Sequence, residues 1–414
     1  MINNKKIELL APAGDYEKLV IAVLYGADAV YIGGEEYGLR AKAKNFDLDT
    51  MKRGIEFAHA HGVKVYVTAN IYAHNDDFEG MAEYFRKIYE IGADALLISD
   101  LGVFSVARQA VPEMEIHVST QANNTNYMSA KMWYSLGAKR IVAARELSID
   151  EIKKIRENIP EDMEIESFVH GAMCISYSGR CLLSNYLTGR DANHGECAHP
   201  CRWKYYLVEE TRPGEYMPVT ENERGTYIYN SKDLCMIEHI PELVNAGVQS
   251  FKIEGRMKTP FYVGTVVKAY RQAIDDYIES PKRYESRKEQ YLQEVSKASH
   301  RAFTTGFYFG KPGSNEQVYT SNSYLRGYDF VGMVCGEYDK NNETAVVMQR
   351  NKFEVGDELE VLASNGPSQK FTVTEMWDED GVPVKSAPHP KQILKVKIPF
   401  HVSEFDMIRK EIKE

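Results

Sequence analysis

Hydrophobic and polar positions along the first two thirds of the chain alternate between a helical and an extended pattern. One short motif recurs there, in which a glycine follows a helical pattern and precedes an apolar run. It is found at Gly26, Gly62, Gly92, Gly137 and Gly247. A glycine in this position is typical of a helix C-terminus, and a short apolar run after it is typical of a buried strand. The motif therefore predicts repeated helix–strand units.

The apolar runs predict eight strands. Their predicted bounds are Glu8–Ala11, Ala29–Gly33, Lys64–Ala69, Ala95–Ser99, Glu115–Val118, Arg140–Ala143, Glu164–Val169 and Ser250–Glu254. Strands that alternate with helices pair in parallel, and eight such units are typical of a (β/α)8 TIM-like barrel. An open doubly wound sheet is the alternative. The missing Gly-x-Gly-x-x-Gly fingerprint after the first strand favours the barrel.

The pattern changes near residue 325, where we predict a domain boundary. Residues 1–325 form the predicted barrel domain with an insertion at 174–231, and residues 327–414 form a small β-barrel or β-sandwich. The second domain is predicted from short apolar runs separated by turn signals. Its expected strands are Phe330–Cys335, Thr344–Met348, Glu358–Leu362, Lys370–Met376 and Leu394–Lys397.

Composition narrows the class of protein. The chain has 414 residues, 43% of them hydrophobic and 27% charged, which excludes collagen-like and disordered chains. The formal net charge of -10 disfavours a free-standing basic nucleic-acid binder. However, residues 327–414 hold 11 basic and 16 acidic residues, hence 5 of the 10 excess negative charges, which leaves room for a local basic groove elsewhere. No apolar run reaches the ~18–20 residues of a membrane helix, and no secretion signal is evident. We expect a cytoplasmic protein.

Polar side chains follow the predicted strands at their carboxyl ends, where TIM barrels carry their active sites. Asn70 follows the third strand and Gln121 the fifth. Arg145, His170 and Arg256 are poor helix N-caps, because a positive side chain there faces the positive end of the helix dipole. Anion binding is the better interpretation of these three. Asp100 is equally compatible with a cap and a site residue.

Six cysteines are unexpected in a cytoplasmic protein, which does not use structural disulfides. Cys174, Cys181, Cys197 and Cys201 lie within 28 residues with the spacing C-x6-C-x15-C-x3-C. Tight C-x2-C knuckles of structural zinc sites are missing, so the uneven spacing favours a four-cysteine iron–sulfur cluster over zinc. His194 and His199 are alternative ligands. Cys235, on a predicted helix, is the reserve ligand, and Cys335 is predicted to be a core thiol.

Residues 252–301 are locally basic, with eleven Lys and Arg against seven acids. The two interpretations are a solvated helical face and a rim that contacts phosphates near the barrel mouth. Basic and aromatic residues also interleave in the insertion, a mixture compatible with a stacked nucleotide or with a folded flap. Those residues are Arg180, Arg190, Arg202, Trp203, Lys204, Tyr205 and Tyr206.

The motifs together resemble the peptidase U32 family. Glu166-x-Phe-x-x-Gly-Ala-Met-Cys174, Gly179-x-Cys181-x-x-Ser184, Asn230-Ser-Lys-Asp-Leu and Lys252-Ile-Glu-Gly-Arg256 are similar to its signatures. So are the N-terminal Leu-Ala-Pro-Ala-Gly and Gly-Ala-Asp-Ala-Val-Tyr-Ile-Gly. The resemblance covers essentially the whole chain, including its C-terminal β region.

The resemblance implies a function and a cofactor. The family is named for a collagenase-like peptidase activity, and its better-supported members are oxygen-independent hydroxylation proteins with iron–sulfur clusters on the family cysteines. The pattern Gly-x-Cys-x-x-x-Cys-Arg-Trp at 195–203 is similar to the branch that makes 5-hydroxyuridine at the tRNA wobble position, with prephenate as the implied hydroxyl source. This comparison favours a [4Fe–4S] cluster on Cys174, Cys181, Cys197 and Cys201, with Cys201 rather than Cys235 as the fourth ligand.

Site roles follow from that expectation. We assign His170, Glu254 and Arg256 to catalysis, and Asn70, Gln121, Arg145 and Lys252 to the binding of substrate. The expected partners are tRNA and a small dianionic co-substrate, with a homologous U32 subunit or a second copy of the chain as a further partner. The alternatives are a U32-type, collagenase-like peptidase and a cluster-carrying subunit of another hydroxylation system. Against the peptidase, the sequence has neither His-Glu-x-x-His nor Gly-x-Ser-x-Gly.

Overall fold

A computed structural model describes most of the chain. The described residues are 7–38, 45–173, 183–190, 197–198, 200, 206–207, 217–218, 230–310, 317–318 and 325–412. Most of the insertion, with Cys174, Cys181, Cys201 and the two alternative histidine ligands, lies outside these residues.

Eight parallel strands close into a barrel. They are β1 (Glu8–Pro12), β2 (Ala29–Gly33), β3 (Lys64–Ala69), β4 (Ala95–Ile98), β5 (Glu115–Val118), β6 (Arg140–Val142), β7 (Glu164–Ala172) and β8 (Ser250–Ile253). Each strand pairs with the next, and β8 pairs in parallel with both β7 and β1. Closure through β8 confirms the predicted TIM-like barrel and excludes the open sheet.

Helices surround the barrel. The α-helices of the described residues are α1 (Tyr16–Leu24), α2 (Leu48–Ala60), α3 (Met81–Glu90), α4 (Leu101–Ala110), α5 (Tyr127–Ser135), α6 (Ile149–Asn158), α7 (Leu183–Thr188), α8 (Ile240–Asn245), α9 (Pro260–Glu279) and α10 (Pro281–Ser296). The five glycines of the recurrent motif all have positive φ, between 72° and 105°. This left-handed conformation ends each helix and directs the chain into the next strand, as the sequence pattern predicts. None of the helices among the described residues is long and apolar enough to span a membrane.

The C-terminal region is an all-β domain, as predicted. Its main sheet holds β9 (Tyr328–Val334), β10 (Thr344–Gln349), β11 (Glu358–Leu362), β12 (Gln369–Thr372), β13 (Met376–Trp377), β14 (Ile393–Lys397) and β15 (Met407–Glu411). The strand order is β12-β11-β15-β9-β10-β14-β13. Strand β15 was not predicted, and the run expected at Lys370–Met376 divides between β12 and β13.

Short strands complete the described parts. They are Tyr206–Leu207, Met217–Pro218, Asn230–Ser231, Asp233–Cys235, Phe303–Thr304, Gln317–Val318, Phe353–Glu354 and Ser386–Ala387. The strand Asp233–Cys235 pairs antiparallel with β7, so the helix predicted around Cys235 is wrong. Its apolar residues are buried by pairing with the barrel wall, which local periodicity does not reveal.

The all-β domain packs on the outside of the barrel through α1, α9 and α10. Met407 of β15 belongs to the same apolar core as the barrel helices. The Tyr25 hydroxyl donates to the Leu362 carbonyl at 2.8 Å, and Lys268 donates to the Gly366 carbonyl at 2.8 Å. Arg409, fully buried on β15, pairs with Glu294 of α10 at 2.6 Å. A shared core and a buried ion pair fix this domain against the barrel wall.

Candidate active site at the barrel mouth

Arg256 lies across the barrel mouth, just after β8. Its Nη1 donates to Thr68 Oγ1 at 3.3 Å and its Nη2 to Asn45 Oδ1 at 3.0 Å. The side chain is 4% exposed. These two hydrogen bonds to neutral side chains fix the position of the guanidinium group at the mouth.

Two glycines leave the space that Arg256 occupies. A Cβ on Gly33, at the end of β2, would lie 2.0 Å from Arg256 Nη2. A Cβ on Gly14, after β1, would lie 2.0 Å from the Arg256 carbonyl oxygen. No side chain fits at such distances, which explains why the motifs at the ends of β1 and β2 carry glycine.

Arg145 supplies a second cation at the mouth, after β6. Its Nη1 donates to the Ala172 carbonyl at 2.8 Å, at the end of β7. The guanidinium carbon lies 4.7 Å from the centre of the Phe168 ring, a cation–π contact. Arg145 and Arg256 together form what we term the arginine sector of the mouth.

Lys252 belongs to the barrel interior rather than to the mouth surface. Its Nζ lies 2.6 Å from Glu166 Oε1 and above the rings of Tyr31 and Phe168. The lysine is 4% exposed and Glu166 is fully buried. Because its charge is offset by Glu166, Lys252 forms the floor under the arginine sector, and its assigned role in binding stays a prediction.

A buried network of charges continues below Lys252, and the sequence did not predict it. Arg140 Nη1 lies 3.2 Å from Glu166 Oε2 and 2.5 Å from Glu8 Oε1, while Nη2 lies 2.6 Å from Glu164 Oε2. Burial alone would raise the pKa of Glu8. The charge and hydrogen bonds of Arg140, with hydrogen bonds from Tyr66 and Ser250, instead lower that pKa to about 2. The interior is therefore polar and ionised, with its charges paired.

His170 lies away from the arginine sector. A bulge shifts the pairing of β7 and β8, so that His170 lies opposite Ile253. Its ring packs against Tyr262 and Tyr270 of α9 and against Phe303. Burial, with smaller effects of His300 and Lys258, lowers its pKa to about 3. A neutral, buried imidazole is a poor anion binder, so the structure gives no support to that interpretation. The catalytic role stays a prediction.

Glu254 is half-buried immediately after β8. Its backbone N–H donates to the His170 carbonyl at 2.8 Å, and its own carbonyl accepts from the Tyr262 hydroxyl at 2.9 Å. Gly171 permits this approach, because a Cβ there would lie 2.6 Å from the Glu254 carbonyl oxygen. The backbone of Glu254 is therefore fixed at the rim, close in the chain to Arg256.

In contrast to the cationic arginine sector, the residues after β3 and β5 include several neutral amide side chains. Asn70 Nδ2 donates to Ser119 Oγ at 3.4 Å, and the Gln121 carbonyl accepts from the Tyr72 hydroxyl. Within the described part of the chain, Gln121 Oε1 and Asn124 Oδ1 are buried without a hydrogen-bond partner. We term Asn70, Gln121 and Asn124 the amide sector.

Asn124 and Glu146 are two further polar residues of the mouth to which the sequence analysis assigned no role. The signal for Asn124 is the amide-rich run Gln121-Ala-Asn-Asn-Thr-Asn after β5. Glu146, next to Arg145, has a raised pKa because of burial, and no described residue bonds its buried Oε2. Asp100 resolves as a helix cap, since Oδ1 accepts from the backbone N–H groups of Gly102 and Val103 at 2.7 and 3.0 Å.

The proposed cluster ligands are mostly outside the described residues. Cys197 alone of the four is described, and it is half-buried. Among the described residues no group of His, Cys, Asp or Glu forms a metal site. Cys235 is buried beside Tyr270 and burial raises its pKa to about 12, which disfavours the thiolate that a cluster needs.

The basic stretch 252–301 is largely a set of structural ion pairs. Most of its cations contact an acid, as in Arg271–Asp28, Arg287–Asp276 and Arg301–Asp233. Lys268 lies in the contact with the all-β domain. Along α9 and α10 the structure thus favours the packed helical face over the phosphate-contacting rim.

Comparisons with known proteins agree on one family. The profile of peptidase family U32 matches residues 14–318, and that of the peptidase family U32 C-terminal domain matches 326–409. The chain is 43% identical over 406 residues to a tRNA hydroxylation protein P1 of Bacillus subtilis, covering 98% of this chain and 95% of that one. It is 36% identical over 347 residues to a 23S rRNA 5-hydroxycytidine synthase of Escherichia coli, covering 82% and 50%.

A solved C-terminal domain of a Geobacillus thermoleovorans putative U32 peptidase is 36% identical. The match covers 20% of this chain and 99% of that one, with a TM-score of 0.19.

Proposed function

Since the chain belongs to peptidase family U32, we propose that it is a tRNA-modifying hydroxylase that makes 5-hydroxyuridine at the wobble position. The relative from Bacillus subtilis is named for tRNA hydroxylation, and the one from Escherichia coli for hydroxylation of an RNA pyrimidine. One observation on this chain carries the proposal: the barrel mouth is divided into an arginine sector and an amide sector. Two arginines suit an anionic co-substrate, and neighbouring amides suit an uncharged base.

The co-substrate is a small dianion, for which prephenate is our proposal as the source of the hydroxyl group. Arg145 and Arg256 offer two guanidinium groups, the geometry that binds carboxylates in a bidentate way. Lys252 and Phe168 lie beneath and exclude water from the floor, which strengthens the electrostatic attraction. Such a route needs no molecular oxygen, and it predicts that hydroxylation continues in cells grown without air.

A [4Fe–4S] cluster on Cys174, Cys181, Cys197 and Cys201 completes the proposal. The donor set supports it, because four thiolates within one insertion are a sufficient ligand set. When bound, a cluster would supply redox or Lewis-acid chemistry. The insertion leaves the barrel at the end of β7, next to Ala172, which Arg145 contacts. Anaerobic purification with iron and sulfide counting tests this, and one equivalent of zinc without iron would reject the cluster.

The peptidase alternative has less support. In the described parts of the mouth, Ser99 Oγ donates to the Asn70 carbonyl, Ser119 Oγ accepts from the Asn70 amide, and Thr68 Oγ1 accepts from Arg256. None of these hydroxyls bonds a histidine or a carboxylate that could act as a base. Incubation with denatured collagen, with Cys174→Ala as a control, tests this alternative directly. A cluster-carrying subunit for a homologous partner is the other alternative.

The decisive experiment is mass spectrometry of tRNA nucleosides from cells in which the gene, and any paralogue, is deleted. We expect 5-hydroxyuridine and its derivatives to disappear and to return with the wild-type gene. Complementation with Arg256→Lys should restore about 1–10% of the modification, because the loss of a charge-assisted bidentate contact lowers binding roughly 10- to 100-fold. Arg86→Lys is the matched control, since Arg86 is an exposed arginine of α3. Unchanged 5-hydroxyuridine in the deleted strain would reject the function.

A further inference from the structure

The loop after β5 is held at the mouth by hydrogen bonds within the loop and to the ends of two other strands. The Gln121 carbonyl accepts from the Tyr72 hydroxyl and, at 3.0 Å, from Asn123 Nδ2. Thr120 Oγ1 donates to the Ala143 carbonyl at 3.4 Å, and the Ala144 N–H donates to the Asn124 carbonyl at 3.2 Å. The loop is thereby tied to the ends of both β3 and β6.

The backbone of this loop is also strained. Asn123 has φ of 52°, in the left-handed region that non-glycine residues rarely adopt. Such conformations persist where the surroundings enforce them, and they are concentrated at functional sites. Here the enforced turn places Gln121 and Asn124 on either side of it.

Both amides keep an oxygen that no described residue satisfies. Asn124 is 1% exposed, and its Nδ2 donates to the Asn126 carbonyl at 3.5 Å, which leaves Oδ1 as the group on offer. Gln121 Oε1 is likewise buried and without a partner among the described residues. Native proteins rarely leave buried acceptors unpaired, so each of the two oxygens is available to a donor on a ligand.

The residues around these two oxygens favour an uncharged donor on the ligand. Asp100, the acid at the end of β4, uses Oδ1 to cap α4. The described residues directly after β3 and β5, such as Asn70, Ser119 and Gln121, are neutral and polar, whereas the cations Arg145 and Arg256 lie after β6 and β8. A charged ligand group would thus prefer the arginine sector, and the amide sector is left for a neutral N–H.

We propose that the amide sector reads the Watson–Crick edge of the target uracil, with Gln121 Oε1 accepting from its N3–H. The inference rests on the proposed function and deepens it, because it names the residues that recognise the base. An amide side chain pairs with a base edge through one acceptor and one donor, and uracil presents N3–H between two carbonyl oxygens.

The test is binding of short anticodon stem-loop RNAs to the full-length protein, purified without air. One RNA carries uridine at the first anticodon position and the other 3-methyluridine, which lacks the N3–H donor. We expect the wild type to bind the uridine RNA about tenfold more tightly, the discrimination typical of a lost base-edge hydrogen bond. Gln121→Met, close in volume but without an amide, should reduce the ratio to about one, and Gln121→Glu, which keeps an acceptor, should retain part of it.

Gln109→Met is the matched control, because Gln109 is exposed on α4 and its side chain donates to Ser105 Oγ of the same helix. It should keep the wild-type ratio. Equal binding of the two RNAs by the wild type, or an unchanged ratio in Gln121→Met with a normal melting temperature, would overturn the inference and leave the proposed function intact. Failure to bind either RNA would count against the proposed function itself, and against this inference with it.

Discussion

The interior of the barrel and its mouth are both polar, but they treat their polar groups differently. In the interior, Arg140 contacts Glu8, Glu164 and Glu166, and Lys252 contacts Glu166. At the mouth, Arg256 donates to Thr68 and Asn45, while Gln121 and Asn124 keep acceptors that no described residue satisfies. Paired charges maintain the shape of the barrel, and polar groups kept available are those that can bind a ligand.

The largest expected effect is a loss of stability when the charge network of the barrel interior is disrupted. Arg140→Met removes the cation that contacts Glu8 and leaves Glu166 with Lys252 alone. The loss of one partner from a buried network costs about 3–5 kcal/mol of unfolding free energy. Urea denaturation measures it. Arg86→Met is the control, because Arg86 and Glu83 are 50% and 59% exposed and such a surface pair contributes about 0–1 kcal/mol. A loss below about 1 kcal/mol in Arg140→Met would show that the interior charges do not support the fold.

The next effect disturbs the mouth without removing a functional group. In Gly33→Ala the new Cβ would lie 2.0 Å from Arg256 Nη2, so the guanidinium has to move. We expect tRNA hydroxylation to fall about 10- to 100-fold, because small misplacements of a binding group have effects of that size. The unfolding free energy should fall by only about 1–3 kcal/mol.

Gly327→Ala is the control for this substitution. Among the described residues, no heavy atom lies within 4 Å of a Cβ built on Gly327, so both activity and stability should stay near the wild-type values. Full hydroxylation by Gly33→Ala would mean that the position of Arg256 does not limit the reaction.

The contrast also explains what the sequence could predict. The barrel strands follow from local periodicity and from glycines such as Gly26 and Gly137, because helix ends and buried strands are encoded by neighbouring residues. The network of Glu8 and Arg140 joins residues 132 positions apart, so no local pattern announces it.

Two further differences between the predicted and the observed structure also arise from features that local sequence patterns do not show. Strand β15 was missed because Arg409 has the sequence character of a surface residue, although Glu294 and Glu360 pair with it in the interior. His170 follows a β-bulge that reverses the side on which its ring lies, and a strand alternation read from sequence assumes that no bulge is present.

The smallest expected effect concerns His170. A packing role in the interior and a catalytic role at the mouth predict different results when this residue is replaced. Its folded pKa of about 3 lies below the ordinary value of 6.5, so the unfolded chain takes up a proton first as the pH falls. The stability from its neutral form is complete above about pH 6.5 and is lost progressively towards pH 3. His170→Gln should flatten the decline of unfolding free energy between pH 6.5 and pH 4, as measured by urea denaturation.

The same variant tests the catalytic role. If His170 only packs against its neighbours, hydroxylation at pH 7.5 should change less than threefold. A drop of about 100-fold or more in a normally folded variant would instead establish the catalytic role that the sequence assigned to it.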